Sequence, residues 1–268
     1  MFEGWSFQDV CAAARDAGYS GVEVAPFTLG KPVAEISPQE RESIRKTADL
    51  AEIDIVGLHW CLAQTTGLHL TSPDAQVRDR TALYLNDLTN LCADIGGNII
   101  VFGSPRQRNV PEGVSYRQAK QYAIEVFRKA ATLLEKRNVT LCLEPLSPAE
   151  TDFINTADEA EEIISDIGSP NIGLILDVKA MSSESEPIDQ IIRRHRSRLR
   201  HFHANDANLR GPGFGNTDFT PIAAALASIK YDGWISVEVF DFSPDPLTIA
   251  VKSIQYLKSA FDAERSKL

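Results

Sequence analysis

Four residues carry most of the chemistry legible in this chain. Glu144 closes Leu141-Cys142-Leu143-Glu144-Pro145 and Asp177 closes Leu174-Ile175-Leu176-Asp177. His203 lies in His201-Phe202-His203-Ala204-Asn205-Asp206, and Glu238 in Ile235-Ser236-Val237-Glu238-Val239. Each stands at or near the C-terminal end of an apolar run, where an ionised carboxylate is costly unless paired or bound to a cation. Any one alone could cap a following helix or pair with an arginine; four at equivalent places point to convergence. Three carboxylates and an imidazole at one point repel one another unless a positive charge lies among them, which a divalent ion supplies. An oxygen-rich set with one histidine suits Mn2+ or Mg2+, with Co2+ and Zn2+ also compatible, and leaves positions open for substrate oxygens.

Such a set needs strands whose C-terminal ends share a face. Seven short apolar runs alternate with amphipathic helical stretches: Gly21 to Ala25, Ile55 to Trp60, Asn98 to Phe102, Val139 to Glu144, Ile172 to Asp177, Leu199 to His203 and Trp234 to Phe240. Runs of nearly continuous Val, Ile and Leu belong to parallel strands covered on both faces. Ser37-Pro38-Gln39-Glu40 and Ser72-Pro73-Asp74 carry helix-start signals, and Asp218 is expected to begin a later helix. Gly18, Gly96-Gly97 and Gly233 precede strands, where helix ends call for positive φ. A helix from Ser6 to Ala17 opens the chain where a first strand would normally precede it. We therefore expect one (β/α)8 TIM-barrel domain over residues 1–268 with seven strands readable, its first strand and true N-terminus lying upstream of Met1. Edges exposed beside the gap would lower its stability. No GxGxxG follows an early strand, so dinucleotide binding lacks support.

The 268 residues carry a formal charge of −10 and are 43% hydrophobic, which excludes disordered and collagen-like classes. No apolar run approaches the roughly 20 residues that span a bilayer, and an acidic chain repels nucleic-acid backbones. The basic cluster Arg193, Arg194, Arg196, Arg198 and Arg200 fits a solvated helix C-terminus, with phosphate binding as the other reading. Cys11, Cys61, Cys92 and Cys142 are widely spaced within apolar stretches, as buried thiols are. They point to a reducing cytoplasm, and Met1 to Trp5 lacks a signal-peptide layout.

The segment Glu144-Pro145-Leu146-Ser147-Pro148-Ala149-Glu150-Thr151, then Leu176-Asp177 with Met181, His203 and Glu238, resembles the xylose-isomerase-like TIM barrels, closest to the ketose 3-epimerase branch of the sugar (phosphate) isomerases and epimerases. The resemblance spans nearly the whole chain. It implies one divalent ion held by Glu144, Asp177, His203 and Glu238, with Glu144 and Glu238 as the acid/base pair that moves a proton beside a carbonyl through an enediolate. Inverting such a carbon needs a base on one face, an acid on the other and a positive charge to stabilise the intermediate. The resemblance further implies that Glu150 contacts the sugar near its carbonyl end and that the protein forms a homodimer or homotetramer. Two positions depart from the family. Its substrate-contacting histidine, three residues after the aspartate ligand, is here Ala180, preceded by Lys179; its arginine after the histidine ligand is offset by one, to Arg210. Both bear on the substrate and leave the four ligands untouched.

Other residues fall at the same mouth. His59 could bind sugar hydroxyls or be a satisfied core histidine. Trp60 and Phe240 could wall a sugar face or simply pack. Arg106 and Arg108 could grip a phosphate or carboxylate, or be exposed loop arginines, and Gly211 to Gly215 reads as a flexible rim loop. Epimerisation or isomerisation of a small polyhydroxylated carbonyl compound is the favoured reaction. Elimination by a lyase or dehydratase acting on a keto-sugar or inosose is the alternative, ahead of a DNA-repair endonuclease or a non-catalytic sugar-binding barrel.

Overall fold

The computed structural model describes residues 1–2 and 4–265; Glu3 and residues 266–268, at the ends of the expected domain, lie outside it. Seven strands, β1 (Gly21–Val24), β2 (Asp54–Leu58), β3 (Ile99–Phe102), β4 (Thr140–Leu143), β5 (Ile172–Asp177), β6 (Leu199–Ala204) and β7 (Ile235–Val237), form one sheet in sequence order. Every neighbouring pair is parallel. Helices α1 (Phe7–Ala17), α2 (Pro38–Leu50), α3 (Ala75–Asp94), α4 (Tyr116–Arg137), α5 (Ala157–Ile167), α6 (Val178–Met181), α7 (Ile188–Arg194), α8 (Phe219–Ser228) and α9 (Pro246–Arg265) occupy the connections and ends. This is the seven-stranded, nearly closed TIM barrel that the sequence predicts.

The two-residue period of a strand decides what points where. Ile55, Leu58, Ile100, Phe102, Leu141, Leu143, Leu174, Leu176 and Phe202 join the large core beneath the helices. Val56, Ile99, Val101, Cys142 and Ile175 form a second cluster with Trp234 inside the barrel. Continuing that inward register places Glu144, Asp177, His203 and Glu238 above this apolar plug, at the C-terminal mouth.

Among the described residues β1 pairs only with β2, and β7 only with β6, leaving a seam. Both edge strands are only partly buried, whereas β3 and β5 are buried throughout. Contacts outside the sheet span the seam: Tyr19 Oη donates to the Ala250 carbonyl at 2.9 Å and Lys258 Nζ to the Gly18 carbonyl at 3.1 Å.

Ser37 and Glu40 form a reciprocal capping box at the start of α2, and Asp218 caps α8. Asp74, not Ser72, caps α3, because its carboxylate reaches the Gln76 N–H at 2.8 Å. Gly18 and Gly96 take positive φ as expected, but Gly97 and Gly233 do not; the left-handed residue after α8 is Lys230, at φ 55°. Part of the arginine cluster is ion-paired where α7 ends, Arg193 with Asp189 and Arg194 with Glu186 and Asp158. The four cysteines are buried and unpaired.

Gly57 lets β2 and β3 approach, since a Cβ there would lie 1.9 Å from the Ile99 carbonyl oxygen. Gly57→Ala is expected to destabilise the protein by about 3 kcal/mol, as overpacking against fixed backbone does. A denaturation midpoint equal to that of the parent would contradict this.

Candidate metal centre

The four inward side chains converge. One ligand atom from each of Glu144, Asp177, His203 and Glu238 lies within 4.8 Å of every other. His203 Nδ1 stands 3.2 Å from Glu238 Oε2 and 4.0 Å from both Glu144 Oε1 and Asp177 Oδ2. All four are buried, so few waters screen their mutual repulsion.

Each is aimed by its own surroundings. Gly103 makes room for Glu144, because a Cβ there would lie 2.1 Å from Glu144 Oε2. Arg108 fixes the backbone behind it, its guanidinium donating to the carbonyls of Glu144 at 2.6 Å and Ile154 at 3.1 Å. Asp177 divides its oxygens. Oδ1 accepts the Ala180 N–H at 2.8 Å and so caps α6, while Oδ2 accepts Asn205 Nδ2 at 2.5 Å. Asn205 Oδ1 in turn accepts the Lys179 N–H at 2.7 Å, tying the turn after β5 to the end of β6. Glu238 Oε1 accepts the Trp60 indole N–H at 2.8 Å and lies 3.3 Å from His59 Nδ1.

The charges push the carboxyls apart. Burial and the neighbouring charges of Glu238 and Asp177 raise Glu144 well above the usual carboxylate range. Burial and the Glu238 charge push Asp177 up to about 6. Burial would raise Glu238 too, but the charge and hydrogen bond of His203, with help from His59, hold it low. Despite burial, the Glu23 and Glu238 carboxylates hold the His203 imidazole well above its usual value. Three carboxylates that resist common ionisation, together with one imidazole, match a hard divalent cation in donor type and number.

The remaining predicted residues fall into two groups. Trp60, His59, Lys179 and Glu150 surround the quartet. Trp60, at φ 52°, stacks on Phe240 with ring centroids 6.0 Å apart, and the Phe27 ring lies tilted to it at 6.2 Å. Lys179 Nζ pairs with Glu150 Oε1 at 2.7 Å and sits 4.2 Å from the Phe240 ring centroid. Arg210 is at the rim, its Nε held by Asp241 at 2.9 Å. Arg106 is exposed, but Arg108 is wholly buried and spends its guanidinium on backbone carbonyls, so it is neither an exposed loop arginine nor an anion clamp. The glycine-rich rim loop is anchored as well: Asp206 accepts the Thr217 N–H, and Asn208 donates to the Phe214 carbonyl.

Sequence reasoning missed two residues and gave a third the wrong role. Glu23 on β1 accepts from both His201 and His203, Asn205 orders the Asp177 turn, and Arg108 supports Glu144. Glu23 was findable, since Val22-Glu23-Val24 points its acid the same way as the recognised ligands. The buried roles of Asn205 and Arg108 depend on tertiary neighbours that no local pattern announces.

A parallel barrel with a candidate cation site at its C-terminal mouth is the architecture of a barrel enzyme. The chain belongs to the xylose isomerase-like TIM barrel family, whose profile matches residues 11–260. It is 28% identical to the D-psicose 3-epimerase of Ruminiclostridium cellulolyticum, over 64% of this chain and 59% of that protein's length. With the L-ribulose 3-epimerase of Mesorhizobium japonicum it shares 30% identity over 72% of this chain and 68% of the relative. A solved L-ribulose 3-epimerase superposes with a TM-score of 0.85 at 22% identity, covering 97% of this chain and 90% of the other, which is likeness of fold. Among the described residues no helix is long and apolar enough to cross a membrane.

A cation at the candidate centre would compete with protons on Asp177, whose carboxyl burial and the Glu238 charge push up to about 6. The carboxylate is the binding form, so affinity falls as pH drops through that value, by about tenfold between pH 7 and pH 5 from this group alone. Calorimetric titration with Mn2+ at the two pH values measures it; equal affinities would refute the assignment of Asp177 to the centre.

Proposed function

We propose that this chain is a divalent-cation-dependent sugar epimerase acting on a small ketose or keto-sugar. The convergence of Glu144, Asp177, His203 and Glu238 on one buried point carries the reading. Membership of a family whose relatives include enzymes named ketose and L-ribulose 3-epimerases supports it. These four residues would hold the ion, with Mn2+ or Mg2+ favoured by the oxygen-rich donors. When bound, it supplies the positive charge that stabilises an enediolate.

The protein's own groups do the proton work. Glu238, whose carboxyl His203 holds low, takes the proton from the carbon beside the carbonyl, and Glu144, whose carboxyl burial and the neighbouring acids raise, delivers one to the opposite face; the roles exchange in the reverse direction. Trp60 and His59 both reach Glu238 Oε1 and so restrict its carboxylate to one orientation. The Trp60 and Phe240 rings offer an apolar wall for the C–H face of a sugar. Glu150 and Lys179 offer an acceptor and a donor to hydroxyls at the carbonyl end, with His59 and, at the rim, Arg210 completing the substrate contacts. Substrate identity follows this set. Lys179-Ala180 stands where the family has its histidine, so the hydroxyl pattern accepted differs from that of the relatives. The buried, unpaired thiols accord with a reducing cytoplasm.

The test is incubation of Mn2+-loaded protein with a panel of ketoses and keto-sugars in heavy water. Deuterium is expected beside the carbonyl in a product of otherwise unchanged mass, and Glu144→Gln and Glu238→Gln, checked for bound Mn2+, are expected to slow its uptake by about 10²–10⁴-fold. Uptake at parental rate in both variants defeats the acid/base assignment. A product lighter by one water makes the enzyme a dehydratase on the same centre.

A further inference from the structure

A second cluster, Glu23, His201 and His203, shares His203 with the four proposed ligands, and the proposed chemistry leaves its Glu23 and His201 unused. His201 and His203 are two residues apart on β6 and point into the barrel together, and Glu23 reaches them from β1 across the interior. Glu23 Oε1 is 2.7 Å from His201 Nε2, and Glu23 Oε2 is 3.1 Å from His203 Nε2. The carboxylate is 7% exposed and both imidazoles are at most 1% exposed, so the cluster is well shielded from solvent.

We propose that Glu23 is a positioning residue that sets the tautomer and ring plane of His203, presenting its Nδ1 lone pair to the ion. This rests on reading the quartet as an ion site. To ligate an ion His203 must be neutral, and a neutral imidazole has one N–H and one lone pair. Glu23 is an acceptor only and faces Nε2, so Nε2 carries the hydrogen and Nδ1 is free to ligate. His201 occupies the other carboxylate oxygen and keeps Glu23 from rotating away. The same cluster does not serve as a second ion site alongside the first. An ion there would need the Nε2 lone pair, and a neutral His203 has only one to give. One ion per chain is therefore expected.

The test compares the parent with Glu23→Ala and with the nearly isosteric Glu23→Gln. Mn2+ affinity and stoichiometry are measured by calorimetry, the Co2+ absorption spectrum reports ligand geometry, and thermal unfolding of the ion-free proteins reports fold. Glu23→Ala is expected to weaken Mn2+ binding by about 10–100-fold and to alter the Co2+ spectrum. Glu23→Gln, whose amide oxygen still accepts one hydrogen bond, is expected to fall between. Parental affinity and spectrum in a folded Glu23→Ala, or two ions per chain in the parent, would overturn the proposal. Should the alanine variant not fold, parental affinity and spectrum in Glu23→Gln would overturn it. A parent that binds no Mn2+ would defeat the ion site itself and this proposal with it; binding retained equally by parent and variants defeats only the role of Glu23.

Discussion

Crowding of like charge governs this molecule. Two carboxylates about 4 Å apart repel by about 4 kcal/mol at an effective dielectric near 20, and Glu144, Asp177 and Glu238 bring three into one buried pocket. Left uncompensated, that repulsion rivals the roughly 5–15 kcal/mol that keeps a whole domain folded. The surroundings therefore consist of donors: the His203 imidazole, the Asn205 amide, the Ala180 N–H and the Trp60 indole. Even with these donors, burial and the neighbouring acids hold the Glu144 carboxyl well above the usual carboxylate range, so a further positive charge would be favoured in the pocket.

The barrel is what makes such crowding attainable. Parallel strands give every inward side chain one direction at one end, and the apolar plug of Val56, Val101, Cys142 and Ile175 supplies a floor that excludes water. Gly57 and Gly103 trade side chains for space, one so that strands can meet and the other so that a carboxylate can sit.

Much of this was legible in the amino-acid string. Strand periodicity alone aims Glu144, Asp177, His203 and Glu238 inward, and unbroken apolar runs announce a sheet covered on both faces. Helix starts were readable where a serine was followed three residues on by a glutamate, as at Ser37, and misread where two candidate caps stood two residues apart, as at Ser72 and Asp74. Positive φ before β7 fell on Lys230 rather than Gly233, because where α8 ends is settled by packing and not by the nearest glycine. Arg108 illustrates the deeper limit. Nothing local distinguishes an arginine that waves in solvent from one that threads under a strand end to hold two carbonyls, since the difference lies in residues more than thirty positions away.

Asp177 serves at once the candidate centre and the backbone, one oxygen facing His203 and the other clasping the first turn of α6. The short turn bearing Lys179 and Ala180 is consequently hinged on an atom that must stay where it is, while the side chains beyond that hinge are bound by no such duty. The side chains at that turn can therefore be replaced without disturbing the oxygen that faces the barrel mouth, which leaves the lining of the mouth open to change while its floor stays fixed.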